Sequence, residues 1–223
     1  MKTKSHKIRL TILSVVAIVA YVCMVGSSFI SEIDDFYLGI DEGHSHATND
    51  KLISVYFLNF QPKNGYLDFP DSMINLRNNK YVKFRSHYVK AKVRFQESEL
   101  NKVKSLKVAR DAFGIISIVL LIYIPILIIR FLLSLSDEIV FKKKNIRILK
   151  QLGTSLILYY IIYYAFYWYS FKINQTLFDF ANYKITQSFE TDFAWVLVGV
   201  FVLLFAEILS KGSEIQEEQD LTI

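Results

Sequence analysis

"FAWVLVGVFVLLFAEILSKG", Phe193 to Gly212, is the stretch that decides how many apolar helices this chain contains. Its uncharged part, Phe193 to Ala206, has 14 residues. At 1.5 Å per helical residue that is about 21 Å, short of a bilayer core of about 30 Å. Adding Glu207 to Ser210 brings the helix to spanning length, so the glutamate has to lie inside or near the membrane boundary.

Three longer runs stand beside it. Leu10 to Ile30 has 21 residues without a charge, Ala112 to Ile129 has 18 and continues past Arg130 to Ser136, and Gly153 to Phe171 has 19. The 223 residues are 52% hydrophobic and 15% aromatic, more apolar than an ordinary soluble domain needs. The first run follows the basic "MKTKSHKIR", as a secretory signal would, but its 21 residues exceed the usual h-region of about 7 to 15. A retained span is therefore expected. The expected fold is an α-helical membrane protein with four transmembrane helices at 10–30, 112–136, 153–171 and 193–211.

Lysine and arginine counts in short loops set the expected orientation. With the N-terminus inside, the inner segments 1–9 and 137–152 and the end of the last span hold ten basic residues, against Lys172 and Lys184 in the opposite loop 172–192. Both termini are then cytoplasmic, including the acidic tail 212–223. Segment 31–111 has 13 basic and 11 acidic residues, but segments beyond about 60 residues cross largely regardless of charge. Its balanced charge suits a solvated extracytoplasmic domain and gives no reason to expect direct nucleic-acid binding.

That outer segment reads as a small α+β domain with an antiparallel sheet. "YVKFRSHYVKAKVRF", Tyr81 to Phe95, alternates at Val89, Ala91, Val93 and Phe95, as a half-buried strand does. "KLISVYFLNF", Lys51 to Phe60, is a second candidate, with turns expected at Pro62, Gly65, Pro70 and Asn78-Asn79. Glu97 to Asp111 carries Leu100, Val103, Leu106 and Val108 near helical spacing and is expected to lead as a helix into the second span.

Signs of chemistry are few. Asp41 to His46, "DEGHSH", clusters imidazoles and carboxylates, but so short a loop reads as a solvated turn, and no metal or cofactor is expected. Cys23 has no partner cysteine and reads as a small core residue. No nucleophile elbow, phosphate-binding glycine loop or paired-histidine zinc motif occurs, so no enzyme is expected.

The apolar runs themselves carry polar groups. Arg130 and Glu207 lie near the inner ends of the second and fourth spans; charges there usually face the bundle and pair, so an interhelical ion pair is one reading and separate snorkelling the other. Tyr159, Tyr163 and Tyr167 repeat every four residues in "YYIIYYAFYWYS", either lining a ligand cleft or packing helices and forming an aromatic belt. Pro125 is expected to bend the second span. In the basic loop Ile146, Leu149 and Leu152 follow helical spacing, suiting an amphipathic stretch on the inner lipid surface, with Lys142, Lys143, Lys144 and Arg147 facing lipid or a partner. The tail "SEIQEEQDLTI" has the opposite sign, with Glu217, Glu218 and Asp220 available to a partner or to the basic loop itself. Gly212 can end the last span, and Ser213 with Gln216 matches a capping box for a new helix.

The ending "FAEILSKGSEIQEEQDLTI", Phe205 to Ile223, resembles the close of the bacterial membrane family filed as domain of unknown function 2975. The loop "EIVFKKKNIRILKQLG", Glu138 to Gly153, is similar to that family's segment at Phe141, Asn145, Leu149 and Gly153, while Val140 and Lys142 stand where the family often has Gly and Pro. The resemblance implies a multi-pass protein of the bacterial inner membrane, and a small helix-turn-helix regulator as partner because the genes are often neighbours. The function expected is a non-enzymatic sensor or anchor that engages such a regulator. A small-molecule binding or transport component and a structural subunit of a membrane complex are the alternatives, and association of copies of the chain stays open.

Overall fold

The computed structural model of the chain describes residues 12, 15–16, 19–20, 22–23, 26, 53–65, 67–134, 143–187 and 193–221. The described residues between 12 and 26 are helical, and Cys23 among them is exposed rather than a core residue. Asp41 to His46, Lys142, Thr222 and Ile223 lie outside the described residues. Beyond that first helical stretch, the described residues form five strands and three helices in two compact units.

The first unit, Glu32–Phe113 with Tyr164–Glu190, is built on a strand whose side chains alternate between core and surface. Strand β1 (Ile53–Pro62) buries Ser54, Tyr56, Leu58, Phe60 and Pro62 at every second position, because successive side chains of a strand point to opposite faces. β4 (Tyr88–Arg94) pairs antiparallel with it from Ile53↔Arg94 to Asn59↔Tyr88 and turns Val89, Ala91 and Val93 to the same core, as their spacing predicts. β5 (Tyr183–Thr186) pairs with the other edge, from Asn59↔Thr186 to Pro62↔Tyr183, giving the order β4-β1-β5. No expectation from the sequence includes β5; residues 172–192 are read there as a loop. A separate hairpin, β2 (Asp71–Asn75) and β3 (Lys80–Phe84), closes over Asn78 and Asn79, where Asn79 adopts a φ of 54° that asparagine tolerates.

Aromatic rings fill this core. Phe178 meets Tyr56 at 5.2 Å and Phe95 at 5.3 Å between centroids, both edge to face, and Phe60 lies between Phe180 at 4.8 Å and Tyr183 at 5.1 Å. Helix α1 (Glu97–Ser134) begins where Gln96 N donates to Glu99 Oε2 at 2.9 Å, the carboxylate half of a capping box. Val103 from this helix and Ile173 from helix α2 (Lys143–Leu177) complete the cluster. Val108, by contrast, is exposed, so the apolar face of the first turns is narrower than its spacing predicts.

The second unit comprises Met1–Ser31, Gly114–Tyr163 and Thr191–Ile223, whose described residues are all helical apart from Phe193. Among the described residues two helices, Glu97–Ser134 and Ala194–Gln219, are long and apolar enough to cross a bilayer. Their outer surfaces are apolar, with Ile115, Ile118, Val119, Ile122, Leu197, Phe201 and Leu204 all exposed. Two of the four expected spans thus meet the requirement. Most of the first run lies outside the described residues, and α2, though long, falls short because tyrosines dilute its uncharged run.

Two boundaries differ from expectation. Helix α3 (Ala194–Leu221) runs through Gly212 without a break, so no capping box starts at Ser213. Glycine is only biased toward the left-handed C-cap; Gly65 takes a positive φ of 120°, whereas Gly212 remains within the helix. Likewise residues 143–152 are the first turns of α2 rather than a surface-lying segment. Ile146, Leu149 and Leu152 are buried among α1 and α3 residues, because a bundle removes more apolar surface than an interface does.

Helices α2 and α3 cross at two glycines. A Cβ on Gly153 would stand 2.8 Å from the Gly199 carbonyl oxygen and 2.7 Å from Leu203 Cγ. One on Gly199 would stand 2.9 Å from the Gly153 oxygen and 2.7 Å from Ile157 Cγ1. Backbone on both sides leaves no room to adjust, and such small-residue contacts are how helices approach closely in lipid. Gly153→Leu or Gly199→Leu is expected to cost about 3 kcal/mol, read as a fall in thermal stability of the detergent-solubilised chain. Gly212→Ala, at a half-buried position inside the helix, is expected to stabilise by up to about 1 kcal/mol; a loss would mean the helix ends there.

Candidate functional site

Below the glycine crossing, toward the start of α2 and the end of α3, the seam carries first apolar and then charged residues. Ile146, Leu149, Ala206 and Leu209 form a buried cluster against which Phe131 of α1 and Val202 of α3 pack. Beside it Lys150 Nζ meets Glu207 Oε2 at 3.2 Å, and further on Lys143 Nζ meets Glu217 Oε1 at 3.0 Å. The basic turns and the acidic turns therefore bind each other within the chain, as their opposite charges suggest. All four side chains are substantially exposed, so in water each pair contributes at most about 1 kcal/mol.

Of the two readings of Arg130 and Glu207, the interhelical pair is not found among the described residues. Among the described residues the partner of Glu207 is Lys150. Phe131 packs on the cluster shared by α2 and α3, and its neighbour Arg130 is turned about 100° away around the helix. Arg130 instead lines a cleft of about 450 Å³ with Tyr123, Lys143, Lys144, Arg147, Ile148 and Gln151. A second groove of about 480 Å³ shares Tyr123, Lys143, Arg147 and Gln151 and continues along α2 past Thr154 and Ser155 to Leu158. Among the described residues no acidic one lines either.

The remaining sequence-predicted residues divide as follows. Lys143, Lys144 and Arg147 come together in the cleft; Glu217 and Glu218 are exposed on α3, and Asp220 falls in its last turn. Tyr159 stacks on Tyr163 at 5.7 Å and meets Trp195 of α3 edge-on at 5.2 Å, which is helix packing. Tyr167 belongs to the other unit, where it meets Phe166 edge to face at 5.4 Å. None of the three lines the cleft or the groove. Lys150, Gly199 and Tyr123 are the residues that reading the sequence misses as partners. The spacing of Lys143, Arg147 and Gln151 at every fourth residue is the signal that could have found the cleft.

The first unit carries a polar cluster around Tyr183. The Tyr183 hydroxyl donates to Asp71 Oδ2 and accepts from the Ser86 backbone N–H at 3.2 Å, tying β5 to the start of β2. Burial raises the Tyr183 pKa above its ordinary 10.0, and the hydrogen bond to the Asp71 carboxylate adds to the shift.

These features define an α-helical protein with apolar, membrane-length helices, a small antiparallel sheet and a charged helical seam. The chain belongs to the family described as "Protein of unknown function (DUF2975)", whose model matches residues 92–223. The match takes in all three helices and β5 but begins within β4, so β1 to β3 lie outside it. No curated protein and no solved structure matches the chain.

Two measurements check the site. In a double-mutant cycle, Lys150→Gln with Glu207→Gln is expected to show a coupling of about 0.5 kcal/mol, and Arg130→Gln with Glu207→Gln none. Ultraviolet titration is expected to show a phenol ionising above the ordinary 10.0 that is lost in Tyr183→Phe. Its neutral form is favoured by folding, so this contribution to stability is complete below pH 10 and is lost as pH rises through the folded-state value.

Proposed function

We propose that the chain is a four-span protein of the bacterial inner membrane, with both termini cytoplasmic and the sheet unit outside. In this reading it is a non-enzymatic sensor or anchor whose charged seam, Lys143 to Lys150 with Glu207 to Asp220, engages a small cytoplasmic helix-turn-helix regulator. The basic residues concentrated in segments 1–9 and 137–152 support the orientation. The observation that carries the proposal is the pairing of Lys143 with Glu217 and Lys150 with Glu207 on helices that continue directly into the apolar bundle. Two exposed pairs of small individual strength can be exchanged for contacts with a partner at little cost, while the buried cluster beside them keeps the helices aligned.

Affinity capture of the tagged full chain from native membranes tests this. A small DNA-binding protein is expected to co-purify and to be lost when residues 212–223 are deleted or when Glu217→Lys and Glu218→Lys are combined. Capture undiminished by either change contradicts the role of the seam.

A further inference from the structure

The charges of the seam are unevenly matched. Glu217 reaches Lys143 and Glu207 reaches Lys150, but among the described residues no acidic side chain pairs with Arg130, Lys144 or Arg147. These three cations share the 450 Å³ cleft with Lys143, Tyr123 and Gln151. Arg130 belongs to an apolar helix of membrane length, where a cation is costly unless it meets an anion. Guanidinium groups bind phosphate oxygens through two parallel hydrogen bonds, and Lys adds a point charge.

The neighbouring groove says what kind of anion fits. It begins at Lys143 and Arg147, passes Gln151 and Thr154, and ends at Ser155 and Leu158, with no charge beyond Lys150. From 143 to 158 along α2 is about 22 Å, the depth of one leaflet with its headgroup layer. A cationic cleft that opens into an uncharged groove along a membrane-length bundle is complementary to an amphiphile with a phosphate head. We infer that the space between α1 and α2 is a binding site for one anionic phospholipid. Arg130, Lys144 and Arg147 hold its phosphate, Tyr123 and Gln151 contribute further hydrogen bonds, and an acyl chain lies along the groove to Leu158. The inference goes beyond the proposed partner but rests on the helical unit lying in a bilayer.

The test uses the full chain purified in an uncharged detergent, with bound lipid read by native mass spectrometry. Phosphatidylglycerol and phosphatidylcholine are added in equal amounts, and inorganic phosphate in a separate arm. Phosphatidylglycerol is expected to be retained preferentially. Each removed cation is expected to lower retention about fivefold, so Arg130→Gln with Arg147→Gln lowers it about 25-fold. Exposed Lys144→Gln alone lowers it about fivefold without threatening the fold, and Lys102→Gln in the other unit leaves it unchanged. Equal retention of the two lipids overturns the inference, as does retention that survives both the double and the Lys144 change. Displacement of phosphatidylglycerol by millimolar inorganic phosphate also overturns it, in favour of a soluble phosphate ligand. Extraction of the chain from native membranes by alkaline carbonate would instead contradict the membrane placement itself.

Discussion

The contact of Gly153 with Gly199 is the constraint on which the helical unit depends. Each glycine lies where a side chain would strike the other helix's backbone, so α2 and α3 approach more closely there than any other residue permits. In lipid there is no hydrophobic gain from joining two apolar helices, and close packing has to supply the attraction. Once the crossing point is set, antiparallel progression decides the rest. Tyr159 meets Trp195 on one side of it; on the other Leu149 and Ile146 meet Ala206 and Leu209, and then Lys150 meets Glu207 and Lys143 meets Glu217.

The division of labour between packing and charge follows from magnitudes. The two exposed ion pairs are too weak to align helices of 35 and 28 residues, so they act as consequences of the register rather than its cause. That weakness is also what makes them exchangeable. Among the described residues three cations of the cleft, Arg130, Lys144 and Arg147, have no such partner, so α2 presents paired charges toward α3 and unmatched ones toward α1.

Sequence periodicity made much of this legible. The alternation of Val89, Ala91, Val93 and Phe95 located β4, and the helical spacing of Ile146, Leu149 and Leu152 correctly marked an apolar face. What that spacing could not convey was the surface covering the face, since a bilayer interface and a neighbouring helix impose the same pattern. Arg130 and Glu207 share a depth, but depth carries no information on which way around its helix a side chain points. β5 was hidden because four residues, "YKIT", are too short for a period, and only pairing with the edge of β1 makes them a strand. Gly212 stays helical because a glycine permits a helix end without requiring one.

Zero-length carbodiimide cross-linking in native membranes, read by peptide mass spectrometry, tests the glycine-set seam most directly, since it joins only amines and carboxylates already in contact. The structure predicts Lys150–Glu207 and Lys143–Glu217 isopeptide links in the unaltered chain, both lost in Gly153→Leu. Links from Glu207 and Glu217 to other lysines, or the same two links persisting in Gly153→Leu, would contradict it.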